Sequence, residues 1–139
     1  MINDICILSK SEYRILLSTE LLYGNSCYSF YGDHGETLLF SDLREDFVGP
    51  EIPLSGKVIP KGTMIFIDYP VKNPIYGITQ ETITTTGKLL FEIGRLLKDL
   101  LLDKPTYGIP NHCSFGNLYL RKMDLYEPKK IITTYIESL

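Results

Sequence analysis

Tryptophan is absent from the 139 residues, histidine occurs twice and cysteine three times, and none of them falls in a CxxC, HxH or HxxxH pair. Structural metal sites draw ligands from such pairs, so neither a metal nor a cofactor is expected. Cys6, Cys27 and Cys113 are an odd number with no paired spacing, the pattern of reduced thiols in a cytoplasmic protein rather than a disulfide framework. Basic runs are missing as well: Arg121-Lys122 and Lys129-Lys130 are isolated pairs in a chain of formal net charge −3. That excludes an electrostatic stripe for nucleic acid. No apolar run approaches the roughly 20 residues that cross a bilayer. The opening MINDICILSK has neither the charged start nor the apolar length of a secretory leader. Neither a membrane nor export is expected.

What is present is apolar and tyrosine-rich. Hydrophobic residues make up 44% and charged residues 22%, a globular balance, and no repeat or linker divides the chain, so residues 1–139 read as a single domain. The ten tyrosines couple apolar rings to hydroxyls, as interface residues do. The one segment with sustained helical periodicity is Gln80–Asp103. Ile83, Gly87, Leu90, Gly94, Leu97 and Leu101 form one stripe, and Leu89, Ile93, Leu96 and Leu100 a second beside it. Lys88, Glu92, Arg95 and Asp99 occupy the other side at ion-pair steps. Thr79 is the expected N-cap and Pro105 the stop. Glycine inside a helix costs about 1 kcal/mol relative to alanine, so Gly87 and Gly94 on the apolar stripe imply the close approach of another backbone, from the same chain or from a second copy.

Before this helix, Ile5–Leu8 suits a short strand or a lead-in. Ser9 with Glu12 has the spacing of a capping box, predicting a helix over Ser11–Tyr23 that buries Ile15, Leu16, Leu22 and Tyr23. Ser26–Tyr31 and Glu36–Phe40 alternate as the arms of a hairpin. Ser41–Gly62 holds Pro50, Pro53 and Pro60 among three glycines, which excludes a continuous helix or central strand. Thr63–Tyr69 is apolar on both faces, as a covered central strand requires. Asn117–Tyr126 and Ile131–Glu137 form a closing hairpin. The order predicts an α+β fold: a mostly antiparallel sheet packed on one long central helix (about 80–103), with a shorter N-terminal helix.

No segment carries a catalytic signature. Thr86-Gly87-Lys88 lacks the earlier glycine of a phosphate-binding loop. His34 and His112 sit in turn-like surroundings, where solvent exposure is their ordinary state, and Cys113 is expected as a buried, inert thiol. Asp68 ends an apolar strand, so its carboxylate must find partners or shift its pKa. A small hydrolase-like or metal-dependent enzyme would need His34, Asp68, His112 and Cys113 to converge. The alternative, which the composition favours, is a small acidic protein-binding module without catalysis. An immunity or inhibitor protein that neutralises a basic toxin or nuclease is its concrete form, and a secretion-chaperone-like homodimer is another. Its expected contact residues are Asp42, Glu45, Asp46 and Glu51 of the Pro/Gly-rich loop, with Tyr28 and Tyr31 of the preceding hairpin; acidic groups there would speed encounter with a basic protein.

Overall fold

The computed structural model describes residues 2–17, 25–29, 39–42 and 58–139. Of the expected contact residues, Tyr31, Glu45, Asp46 and Glu51 lie outside these, as do His34 and the predicted helix positions Leu22 and Tyr23.

The fold is α+β, built on a six-stranded sheet. In chain order its strands are β1 (Ile2–Ile7), β2 (Asn25–Ser29), β3 (Met64–Ile67), β4 (Ile75–Thr79), β5 (Leu118–Tyr126) and β6 (Ile131–Ser138). Across the sheet they run β1-β4-β3-β6-β5-β2. β3 pairs in parallel with β6 at its centre and every other neighbour is antiparallel. The sheet is therefore mixed, because β4, a helix and β5 intervene between β3 and β6 and return the chain in the same direction.

β3 is the most enclosed strand, as its two-sided apolar run predicts: Ile65, Phe66 and Ile67 are all 0% exposed. Alternation sends Ile65 and Ile67 into one core and Phe66 into another. The larger core lies beneath α2 (Thr86–Leu101), whose Leu89, Leu90, Ile93, Leu96, Leu97 and Leu100 face Leu118, Leu120, Met123, Leu125, Ile132 and Ile136 of the closing hairpin. Burial of such side chains contributes about 1.5–3 kcal/mol each before the ordering entropy is subtracted. The smaller core, on the opposite face, is Phe66, Tyr126 and Ile131 covered by Leu8, Tyr13 and Leu16, the last two from α1 (Lys10–Leu16). Helices thus cover both faces of the sheet.

α2 begins six residues later than its periodicity predicts. Residues 75–79 are instead β4, a strand hidden between Pro74 and the polar Gln80. The predicted cap Thr79 is a buried strand residue whose hydroxyl accepts from the Thr63 amide at 2.9 Å. Thr85 takes the N-cap, accepting from the Lys88 amide at 3.2 Å. Ile83, assigned to the helix stripe, is held in the lead-in loop by a paired bridge to Ile59, 2.8 Å in each direction. Pro105 opens a short turn of helix, α3 (Lys104–Tyr107), closed by Gly108 at φ 65°. On the outer side of α2, Glu92 pairs with both Lys88 at 3.1 Å and Arg95 at 3.6 Å, and it is 1% exposed, not solvated.

The capping box of α1 is present as its spacing predicts: Ser9 N–H donates to Glu12 Oε1 and Glu12 N–H to Ser9 Oγ, both at 3.1 Å. The side of this helix packed on the sheet is Tyr13 and Leu16, three residues apart and both half-buried, while Ile15 points outward at 73% exposure. The two predicted hairpin arms are both met by β5: β2 pairs with residues 122–126, and Leu39 forms a bridge with Tyr119 before the 3₁₀ turn Phe40–Asp42.

Candidate recognition face

The α1 side of the sheet changes character along its length. Around Phe66 it is aromatic: the rings of Tyr13 and Tyr76 lie 5.7 and 5.4 Å from the Phe66 ring, both tilted. Beyond Phe66 the same alternation brings Asp68, Tyr135 and Lys122 onto this face, with Thr133 and Asp124 one row back, because Phe66 pairs with Thr133, Thr133 with Asp124, and Tyr135 with Lys122. Further along β5, Tyr119 pairs with Glu137. Three tyrosine–carboxylate pairs result.

The first joins elements far apart in sequence: the Tyr13 hydroxyl of α1 donates to Asp68 at the end of β3. Burial raises the Asp68 pKa above its ordinary 3.8, against the opposing effect of its own backbone amide and the Tyr13 hydroxyl. Burial also raises Tyr13, with the Asp68 charge second. In the second pair, Tyr135 Oη donates to Asp124 Oδ2 at 3.0 Å. Asp124 is 6% exposed while the Tyr135 residue is 41% exposed, so the ring meets solvent and the hydroxyl end is tucked against the carboxylate. Burial, then this bond, pushes Tyr135 up to about 12. Lys122 Nζ stands 4.4 Å from the centre of the same ring, a cation–π distance. In the third pair, Tyr119 Oη donates to Glu137 Oε2 at 2.6 Å and Arg121 Nη1 to Oε1 at 3.0 Å; the two bonds, Tyr119's first, lower the Glu137 pKa. Tyr69 adds a hydroxyl at this edge, 2.9 Å from Ser138 Oγ.

This chemistry suits recognition. Phenols whose pKa values are raised stay protonated at neutral pH, acting as donors and not as nucleophiles or bases. Asp68 and Glu137, which meet solvent, are positioned by tyrosines yet keep acceptor capacity, since a carboxylate has about four lone-pair sites. Thr133 Oγ1, in a residue 4% exposed, has no hydrogen-bond partner among the described residues.

Of the candidate enzyme residues, His34 lies outside the described residues, and Asp68 and Cys113 stand on opposite faces of the sheet. Cys113 is fully buried in the core beneath α2, and Asp68 is bonded to Tyr13 on the other side of the sheet. His112 is exposed, and its carbonyl accepts from Asn117 Nδ2 at 3.0 Å. His112 and Cys113 lie in and after the turn closed by the Cys113 amide on the Pro110 carbonyl at 3.1 Å, which leaves His112 exposed and Cys113 buried. Among the described residues, no three His, Cys, Asp or Glu side chains cluster as metal ligands, and no described helix is long and apolar enough to cross a membrane. Of the expected contact residues, Asp42 is exposed in the turn beside β5 and Tyr28 is in β2, paired with Met123. Sequence reading singled out Asp68 but missed Tyr13, Tyr119, Asp124, Tyr135 and Glu137. The legible signal was the period-2 recurrence of Lys122, Asp124 and Tyr126 against the apolar Met123 and Leu125.

No family model, curated protein or solved structure matches the chain.

Proposed function

We propose that this chain is a small protein-binding module without catalytic chemistry, and that the face carrying Asp68, Asp124 and Glu137 with their tyrosines receives a basic protein. The observation that supports this reading is the threefold repetition of one motif, a carboxylate held by a tyrosine hydroxyl, on one side of the sheet. Rigid aromatic rings supply contact area at low entropic cost, and carboxylates complement Lys and Arg at a partner's surface. Asp42 is exposed in the turn Phe40–Asp42, which packs against α2, and the proposed role includes it as an outlying contact. The proposed role includes the acidic loop positions Glu45, Asp46 and Glu51 as outlying contacts. An immunity or inhibitor protein against a basic toxin or nuclease is the form that this charge and chemistry fit.

The test is capture of partners on the tagged chain from native extract, in low and high salt, with wild type and with Glu137→Lys, Asp42→Lys and Tyr135→Phe compared. A stoichiometric basic protein, released by salt and lost with Glu137→Lys while the thermal midpoint holds, is the expected result. Undiminished capture by all three variants would remove this face from the interaction.

A further inference from the structure

A groove lies on the α2 side of the sheet, opposite the face described above, and two cations border it. Phe40, Ser41, Phe91, Gly94, Arg95, Lys98 and Phe115 line a groove of about 240 Å³ between α2 and the 3₁₀ turns Phe40–Asp42 and Phe115–Asn117. Phe40 and Phe115 stack at 6.3 Å within 24° of parallel. Phe91 and Phe115 are only half-buried, so two rings are left at the groove wall facing solvent. Gly94 keeps the groove open where any side chain on this turn of α2 would begin to fill it.

Two cations stand at its rim. Arg95 Cζ is 5.9 Å from the Phe91 ring centre and Lys98 Nζ is 5.7 Å from that of Phe115, near the outer limit of roughly 6 Å for a cation–π contact. Arg95 shares the buried Glu92 with Lys88, whereas Lys98 makes no ion pair among the described residues. In a chain of net charge −3, this is a local positive exception beside an apolar slot. Its volume exceeds the roughly 150 Å³ in which an engineered apolar cavity holds benzene, and it falls below the range of drug-sized pockets.

We infer that this groove binds a small aromatic carboxylate, its ring against Phe91 and Phe115 and its carboxylate on Lys98, with Arg95 and the Ser41 hydroxyl as further donors. A neutral ring would gain only the apolar contact, and an aromatic amine would meet like charge. The site is independent of the sheet face described above, so either can fail without the other.

The probe is phenylacetate, titrated into the isotope-labelled full chain and followed by amide NMR, with benzyl alcohol and benzylamine in parallel. Phenylacetate is expected to shift the Ser41, Gly94 and Lys98 amides and to bind more tightly than both analogues. Lys98→Gln should weaken phenylacetate about two- to fivefold, the scale of a partly exposed ion pair, leave benzyl alcohol unchanged, and preserve the rest of the spectrum. Lys98→Arg should restore binding. Equal affinity for all three probes, absence of shifts at these amides, or an unaltered constant in Lys98→Gln would each overturn the assignment.

Discussion

The Phe40 ring packs directly on the Cα of Gly94: a Cβ built there would stand 3.2 Å from Phe40 Cδ1. At Gly94 the close approach implied by a glycine on the apolar stripe is made by an aromatic side chain of the same molecule. That makes Gly94→Ala a contest of two effects. Alanine gains about 1 kcal/mol of helix propensity, and crowding a ring that is 2% exposed costs about 1–3 kcal/mol. The expected outcome is a net loss of about 0–2 kcal/mol by urea unfolding. In a Phe40→Leu background the same change should stabilise by up to about 1 kcal/mol, a sign reversal that a double-mutant cycle reads directly.

Tyr135→Phe removes one donor from the buried Asp124. With the ring open to solvent the cost sits at the low end for a bond to a charged group, about 1 kcal/mol at pH 8. The folded phenol titrates at about 12, above its ordinary 10.0. Its stabilisation is therefore fully present below pH 10 and is lost as pH rises toward 12. The gap between wild type and Tyr135→Phe should narrow across that window in chemical denaturation at stepped pH; a constant gap would mean that the hydroxyl is not the cause.

Asp68 has the opposite consequence at the acid end. Asp68 keeps solvent access, yet desolvation of its carboxyl against the sheet raises the folded pKa above 3.8, so between that ordinary value and the folded one the native state retains a proton that the unfolded chain releases. Ionising it then works against folding: from pH 3.8 upward to the folded value, the stability contributed by this group falls as pH rises. Asp68→Asn, which has no such charge, should gain on wild type as pH climbs through this range and hold a constant offset above it. A stability difference independent of pH between 3 and about 7 would contradict the assignment.

Thr133 presents a buried hydroxyl without a partner among the described residues, an arrangement that costs about 1–3 kcal/mol relative to a satisfied group. Thr133→Val keeps the branched shape that β6 favours and removes the orphan. The expected change is stabilisation of about 1 kcal/mol in thermal or urea unfolding, and destabilisation would show that the hydroxyl has a partner in solution.

How much of this was legible follows from the range of each interaction. The box Ser9–Glu12, the enclosed strand around Ile65–Ile67 and the closing hairpin are local patterns, set by spacings of two to four residues and by turn chemistry at Glu127–Lys130. They were read with small errors at their ends. β4 was overlooked because a five-residue strand has too few alternations to compete with the long apolar period that follows it. Asp68 was recognisable as a carboxylate in need of a partner, but not Tyr13 as that partner, since the two are brought together only when α1 folds over Phe66. The same holds for Phe40 on Gly94, and for the separation of Asp68 from Cys113 by the thickness of the sheet.

The sequence by itself determined most of the core beneath α2, the α+β class, the capping box of α1 and the phase of α2, because these depend on side chains a few residues apart along one backbone. Only the tertiary structure decided that β3 runs parallel to β6, that three tyrosines find three carboxylates on one face, and that two cations border an aromatic groove on the other. Each of those depends on strand register and on long-range packing, where a shift of a single residue would turn every side chain to the opposite face of the sheet.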